Sequence, residues 1–424
     1  MRTPAGDMLY LRGVNLSGRA KGAEGHLITV DDALITELLA DGINSVRFLV
    51  FWDAVMPEAP GEIDETYLAE IRARIERLDA AGIFVIIDVH QDLWGQPFQS
   101  HGAPAWVCPE SLTWGYEAQS PWWANYLTKQ VSGCFDHFWD SATLQASYAE
   151  MLAAVAGAVC DLPRVVGFDI MNEPWPGSHL PDPTFDNDIL MPFYINVMET
   201  VEAECSGKLH FFEPSGAFTF GLADAMQIPQ DLMDRVVVAP HFYPPYVHES
   251  DGGGYGGDDE AHEELLLDLQ DDWGAYLDMG VALWCGEYGG LTQLDNTDIY
   301  IQHLHTFFLE HFISSAYWDH GYSDSGFAFR DSDGCLKDVF EPVFRSPLPT
   351  LLPERPIQLT TDWAEGTLEL VFYCHTGRVL AMLLPGDGCS CTVPEGLSYV
   401  EALPNHSTWL CEGDGETAVS CVCP

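Results

Sequence analysis

Residues 64–90 read Asp64-Glu-Thr-Tyr-Leu-Ala-Glu-Ile-Arg-Ala-Arg-Ile-Glu-Arg-Leu-Asp-Ala-Ala81, a single Gly82, then Ile83-Phe-Val-Ile-Ile-Asp-Val89 and His90. The first part places Leu68, Ile71, Ile75 and Leu78 at helical spacing behind an Asp, which predicts an amphipathic helix with an acidic start. The second part is a short, nearly continuous apolar run, the pattern of a parallel strand covered on both faces. It ends on a polar residue. The unit recurs along the chain: strands are predicted at 9–16, 44–51, 83–89, 165–171, 209–213, 236–241, 281–286 and 315–319, with helical stretches such as Asp31–Ala40 between them. Eight such units predict an α/β fold of the (β/α)8 TIM-barrel type rather than an open sheet.

After Pro342 the pattern changes. Pro347, Pro349, Pro353 and Pro356 suggest a linker, and Thr367–His375, Val379–Leu384, Tyr399–Leu403 and Ala418–Cys423 then read as strands without helices between them. The expected organisation is a barrel over 1–346 and a small antiparallel β-sandwich over 347–424.

Charge excludes several partners. Against 65 Asp+Glu stand 17 Lys+Arg, a net charge of −48, which repels phosphate backbones and anionic headgroups. No nucleic-acid partner is expected. No apolar run approaches the roughly 20 residues of a spanning helix, so no integral membrane segment is expected either. The first eight residues offer no apolar leader; as it stands the chain reads as cytoplasmic, or as secreted if a signal was trimmed. Twelve cysteines pull the other way, six of them from Cys374 onward. Cys389/Cys391 and Cys421/Cys423 are spaced to share one face of a strand, which favours structural thiols or cystines over a zinc ribbon.

Polar residues gather where the predicted strands end: Asn15, Arg47, His90, Asn172, Glu173, His241, Tyr243, Glu287 and Trp318. A barrel enzyme keeps its chemistry on that face. Two long loops also leave it. One runs from His90 to about Ser141 with Trp94, Trp106, Trp114, Trp122 and Trp123; the other, Pro244–Asp259, contains Gly252-Gly-Gly254-Tyr-Gly-Gly257. The glycine pattern matches a dinucleotide fingerprint in letters only, because its flanks are acidic; a mobile lid is the expectation.

Two carboxylates carry the chemical reading. Glu173 closes strand 4 in Asp169-Ile-Met-Asn-Glu-Pro174, and Glu287 closes strand 7 in Leu283-Trp-Cys-Gly-Glu-Tyr-Gly289. A pair facing one cleft is the minimum apparatus for breaking a glycosidic bond. A lone Glu at a strand end would be read as a buried structural carboxylate; two, flanked by Arg, His, Asn, Tyr and Trp, suggest a site.

Arg47, His90, Asn172-Glu173, His241-Phe-Tyr243, Glu287 and Trp318 together resemble glycoside hydrolase family 5. The segments Gly13-Val-Asn-Leu-Ser-Gly-Arg-Ala-Lys21, Asp88-Val-His-Gln-Asp92, Gly102-Ala-Pro-Ala-Trp106 and Phe135-Asp-His-Phe-Trp139 are closer to its endoglycoceramidases and related glucocerebrosidases and sterylglucosidases. Tyr317-Trp-Asp-His-Gly-Tyr-Ser-Asp324, the strand-3 insertion and the Gly-rich loop depart from that likeness. The resemblance implies a retaining double displacement with Glu287 as nucleophile and Glu173 as acid/base. It implies no metal or organic cofactor. Arg47 and Tyr243 would hold Glu287, Asn172 the sugar 2-hydroxyl and Trp318 the ring's floor. His241 joins the site, and His90, Asp88, Asp92 and Lys21 are candidates for the other hydroxyls. Burial and the charge of Glu287 should raise the pKa of Glu173. The tryptophans of the insertion, with Phe98, would line a groove for a lipid or sterol aglycone. Three readings stay open: a hydrolase of β-glucosidic glycolipids, a glucanase or broad β-glucosidase on non-lipid glucosides, and a carbohydrate-binding protein with a dead site. Oligomeric state is not legible.

Overall fold

Asp31 and Asp64 start two of the predicted helices as anticipated. The Asp31 carboxylate accepts from the Leu34 N–H ahead of Asp32–Ala40, and Asp64 accepts from Thr66 and Tyr67 ahead of Glu65–Ala80. Leu68, Ile71, Ile75 and Leu78 are buried on the second helix. In the computed structural model all residues are described except Pro4, Phe220, Ser250, Asp251, Gly386, Asp387, 402–404 and Pro424, and the side chains of 17–19, Glu24, Thr219 and Glu401.

Eight strands close a parallel barrel: β1 (Arg12–Asn15), β2 (Ser45–Val50), β3 (Phe84–Val89), β4 (Val165–Asp169), β5 (Leu209–Phe212), β6 (Val236–Val238), β7 (Ala282–Tyr288) and β8 (Ser314–Tyr317). β8 pairs with β1 to complete the ring. Leu11, Ile86, Phe211, Val237, Trp284 and Ala316 form a buried cluster within it, a packed interior rather than a pore. The polar residues lie beyond it, at the strands' C-terminal ends.

The predicted strand 9–16 is divided between two sheets. Met8–Leu9 pairs antiparallel with Leu348–Leu352, and only Arg12–Asn15 enters the barrel. The proline-marked linker thus contains a strand, and the N-terminal segment belongs to the C-terminal sheet, which a cut between 346 and 347 does not capture. Arg12 fastens this junction. Its guanidinium, fully buried, donates to the carbonyls of Gly42, Val343, Phe344 and Ser346.

The C-terminal region has two antiparallel sheets. One has five strands, ordered Met8–Leu9, Leu348–Leu352, Val379–Leu383, His406–Cys411 and Leu397–Glu401; the other has Gln358–Asp362, Thr367–Cys374, Gly415–Val422 and Ser390–Thr392. The predicted Tyr399–Leu403 runs past the described residues at 402. Cys374–Cys411 ties one sheet to the other, while Cys391–Cys421 and Cys389–Cys423 staple the edge strand Ser390–Thr392. Cys108–Cys134 and Cys160–Cys205 brace the barrel's connections, leaving Cys285 and Cys335 as thiols. Cystines, not metal thiolates, account for the spacing. In the chain-entropy picture a loop of 37 residues is worth about 4 kcal/mol to the folded state. The double variant Cys374→Ala/Cys411→Ala should therefore lower the unfolding free energy of this region by about that amount in urea titrations.

Both long connections contain structure of their own. Residues Lys129–Trp139 form a helix, with Val131, Cys134, Phe135 and Phe138 on its buried face; that spacing was present in the sequence. In the Gly-rich segment Tyr255 is buried, its carbonyl accepts from the Asn296 amide at 2.7 Å, and its hydroxyl meets His303 Nδ1 at 2.9 Å. Tyr255 anchors what looked like a lid. Ser250 and Asp251 of that loop lie outside the described residues.

Candidate active site

The barrel's closure brings the strand-end residues into one site. Arg47, on β2 and wholly buried, is its centre. Nη1 donates to Glu287 Oε1 at 2.5 Å and to Asn15 Oδ1 at 3.2 Å. Nη2 donates to Asn172 Oδ1 at 3.0 Å and to Glu213 Oε1 at 2.8 Å, and lies 3.0 Å from Asp88 Oδ1. Nε donates to Asp169 Oδ2 at 2.9 Å. Burial alone would lower the pKa of this guanidinium, but Asp88, Asp169, Glu287 and Glu213 outweigh it and hold the group well above its ordinary value.

Glu287 is gripped from both sides, since Tyr243 donates its hydroxyl to Oε2 at 2.9 Å. Burial, with the adjacent Glu287 charge, raises the Tyr243 pKa far above its usual value, so the phenol keeps its proton and remains a donor. Glu173 stands opposite, its oxygen within 4.8 Å of one from Glu287. The two differ in access: 33% of the Glu173 side chain is exposed against 6% for Glu287.

Glu173 has φ of +40°, a left-handed conformation that a side chain with a Cβ seldom adopts. Its surroundings hold it there. Its N–H donates to Glu213 Oε2 at 2.7 Å, and Gln91 Nε2 donates to the carbonyls of Asn172 and Glu173. His241 Nδ1 meets Glu173 Oε1 at 2.9 Å while Nε2 faces Glu213 Oε1 at 3.3 Å.

This histidine reverses one expectation. Burial does push the Glu173 carboxyl up, but the hydrogen bond and charge of His241 bring it below its ordinary value. Burial raises Glu287 despite His241 and Arg47. Burial would also discharge His241, yet Glu213 and Glu287 keep its pKa well above the usual range. These shifts favour the charged form of both partners, imidazolium on His241 and carboxylate on Glu173.

A second group lines the mouth. His90 Nδ1 meets Asp88 Oδ2 at 2.7 Å, its ring stacks beside Trp318 at 5.6 Å, and Asp92 Oδ2 lies 2.6 Å from Lys21 Nζ. Lys21 Nζ also sits 4.3 Å over the Trp318 ring. Lys21, Arg47, Asp88, His90, Asp92, Asn172, Glu173, His241, Tyr243, Glu287 and Trp318 thus all belong to this one cluster. Asp169 and Glu213 were missed, although each leaves a trace. Asp169 is a charge inside an apolar strand, as Asp88 is, and Phe212-Glu-Pro214 repeats the Glu-Pro ending of β4 after β5. Among the described residues two sets have the spacing of a cation site, Glu173/His241/Glu287 and Asp88/Asp169/Glu213. In the second, Arg47 already supplies the positive charge.

The family model described as cellulase, glycosyl hydrolase family 5, matches residues 7–324. The chain belongs to that family. Endoglycoceramidase I of Rhodococcus hoagii is 33% identical over 155 residues, covering 36% of this chain and 31% of that protein. A glucosylceramidase of Cryptococcus neoformans is 28% identical over 242 residues, covering 41% of this chain and 32% of its own. The chain thus spans about a third of the length of each of these curated relatives. The solved structure of endo-glycoceramidase II from Rhodococcus sp. superposes with a TM-score of 0.85 at 24% identity, covering 100% of this chain and 99% of that one. At that identity the likeness speaks for the fold.

Proposed function

We propose that this family 5 protein is a retaining β-glycoside hydrolase that cleaves the β-glucosidic bond of a glycolipid, either glucosylceramide, a longer glycosphingolipid or a steryl glucoside. One observation carries the reading: carboxylate oxygens of Glu173 and Glu287 within 4.8 Å of each other in a single mouth. Retaining enzymes hold the pair about 5–5.5 Å apart; an inverting enzyme needs about 6.5–9.5 Å to admit water between nucleophile and sugar.

In the first step Glu287 attacks the anomeric carbon while Glu173 protonates the departing glycosidic oxygen. The bond to the aglycone breaks as the glycosyl ester forms. Arg47 and Tyr243 orient the attacking carboxylate, and the partly exposed Glu173 reaches the leaving group. Ester formation removes the Glu287 charge; Glu173 then takes a proton from water, which attacks the anomeric carbon and frees Glu287 with the β configuration restored. Asn172, fixed by Arg47, would hold the sugar 2-hydroxyl, and Trp318 would lie under the ring face. Lys21, Asp88, His90 and Asp92 would bind the remaining hydroxyls. The site residues need no cofactor for this sequence.

The names of the relatives, endoglycoceramidase and glucosylceramidase, support a lipid aglycone. The family description, cellulase, supports the second reading of a non-lipid β-glucan or β-glucoside. Thin-layer chromatography of digests of glucosylceramide, lactosylceramide, steryl glucoside and an aryl β-glucoside tests both. Release of lactose from lactosylceramide would assign endo cleavage, release of glucose from glucosylceramide alone exo cleavage, and activity confined to the aryl glucoside would favour the second reading. Proton NMR should find the β anomer first; initial α anomer would overturn the double displacement. The five cystines also favour an oxidising compartment over a reducing cytosol. Among the described residues no helix is long and apolar enough to cross a membrane.

A further inference from the structure

The tryptophans of the β3 insertion divide into two groups, one packed inside and one facing solvent, so the five do not line a single groove together. Trp94 and Phe98 are buried, and Trp106 is partly buried with its indole N–H donating to the Met56 carbonyl at 3.1 Å. Trp114, Trp122 and Trp123 face solvent with 81%, 53% and 43% of their surface exposed, joined by Leu127 at 58%.

The segment carrying them is built, not loose. The Cys108–Cys134 cystine closes its base. Buried Asn125 is its hub: Oδ1 accepts from the Tyr116 hydroxyl at 2.6 Å and the Gln119 N–H at 2.8 Å, and Nδ2 donates to the Trp122 carbonyl at 2.6 Å. From Ser111 to Thr128 the only charged side chain is Glu117, in a chain that is 19% charged. A fixed scaffold that keeps three indoles in water is a surface waiting for cover.

Its position selects the cover. The Trp122 ring meets Tyr126 edge-on at 5.9 Å, Tyr126 lies 5.1 Å from Trp175, and Trp175 follows Glu173 by two residues. A protein seated on this rim would stand beside the path to Glu173, whereas a lipid surface would bring the substrate with it. Indoles suit the lipid–water boundary, with an apolar body and a polar N–H. A net charge of −48 disfavours anionic headgroups. We propose that Trp114, Trp122, Trp123 and Leu127 form a docking surface for an uncharged, zwitterionic lipid face, holding the barrel mouth against it. The purpose of this contact rests on the glycolipid reading; the contact itself can be measured without any glycolipid.

The test is co-sedimentation of the full chain with phosphatidylcholine vesicles containing no glycolipid, alongside intrinsic tryptophan fluorescence. The chain should partition onto the vesicles with a blue-shifted emission. Partitioning of the triple variant Trp114→Ala/Trp122→Ala/Trp123→Ala should fall by about tenfold or more, since each indole carries roughly 150–250 Å² of surface. Trp114→Ala alone, at the most exposed position, should lower it in part. Hydrolysis of a soluble aryl β-glucoside should stay within about twofold in both variants, because these exposed side chains are not among the residues proposed to bind the sugar or do the chemistry. Adding phosphatidylserine should weaken partitioning, and salt should restore it. Absence of vesicle binding, equal binding by the triple variant, or a tryptophan-dependent dimer in place of vesicle binding would overturn the proposal. Vesicle binding without glycolipid cleavage would retire the substrate reading and leave the docking surface standing.

Discussion

Glu287→Ser should lose about 10⁴-fold or more of its activity on an aryl β-glucoside while remaining folded. The loss follows from the role: a serine hydroxyl cannot serve as the resident carboxylate that forms and then releases the glycosyl ester. The fold should survive because Arg47 keeps Asp88, Asp169 and Glu213 within hydrogen-bond distance, so no buried cation is stranded. The vacated volume faces the anomeric carbon, and azide or formate should enter it and restore part of the turnover. Such an anion attacks from the Glu287 side, opposite the leaving group, so the glycosyl azide should have the α configuration. Glu173→Ala gives the complementary result. With an activated aryl leaving group the ester still forms on Glu287, azide replaces water in the second step, and the product should be the β-azide. NMR of the two products separates the roles; exchanged configurations would mean that nucleophile and acid/base are assigned the wrong way round.

The barrel was legible because its strands are short, apolar and buried on both faces, as in Ser45–Val50 and Phe84–Val89, whose residues are buried almost throughout. Helix starts were legible where an Asp caps them. The C-terminal region was harder. Gln358–Asp362 alternates exposed and half-buried residues with little apolar contrast, and Leu348–Leu352 hides among prolines that read as a linker. Met8–Leu9 leaves the same apolar run as β1 for another sheet, a choice made by tertiary pairing with Leu348–Leu352 rather than by local pattern. At the site eight of the eleven expected residues stood out at predicted strand ends, while Lys21, Asp88 and Asp92 came with the family resemblance. The ordering of the carboxyl pKa values was not legible, because it depends on which imidazole nitrogen faces which Glu. No spacing rule encodes that His241 reaches Glu173 through Nδ1 and Glu213 through Nε2.

That same geometry makes Glu213 the most informative position outside the catalytic pair. Glu213→Gln should lower kcat/KM by about 10²-fold and move the basic limb of its pH profile upward. Glu213 accepts at both oxygens, from Arg47 at 2.8 Å and from the Glu173 N–H at 2.7 Å. A glutamine offers one acceptor and one donor, so its NH₂ must confront either a guanidinium or an amide that is itself a donor. The displaced group is then the one holding Glu287 or the one keeping Glu173 in its left-handed conformation. The pH effect has a separate origin. Glu213 is the first of the charges that raise the pKa of His241, and His241 in turn holds the Glu173 carboxyl low. Removing that charge makes His241 easier to neutralise, the imidazolium no longer depresses Glu173, and Glu173 retains its proton to higher pH. The required form has Glu173 protonated and Glu287 ionised, and the two carboxyls titrate as a pair whose macroscopic constants set both limbs; His241 lowers both carboxyls, so loss of its charge raises both constants and the basic limb moves upward. A structural defect alone would depress kcat/KM at every pH without moving the limb. Measuring kcat/KM for the parent and Glu213→Gln across the acidic and neutral range therefore separates a scaffold residue from one that sets the proton on the acid/base.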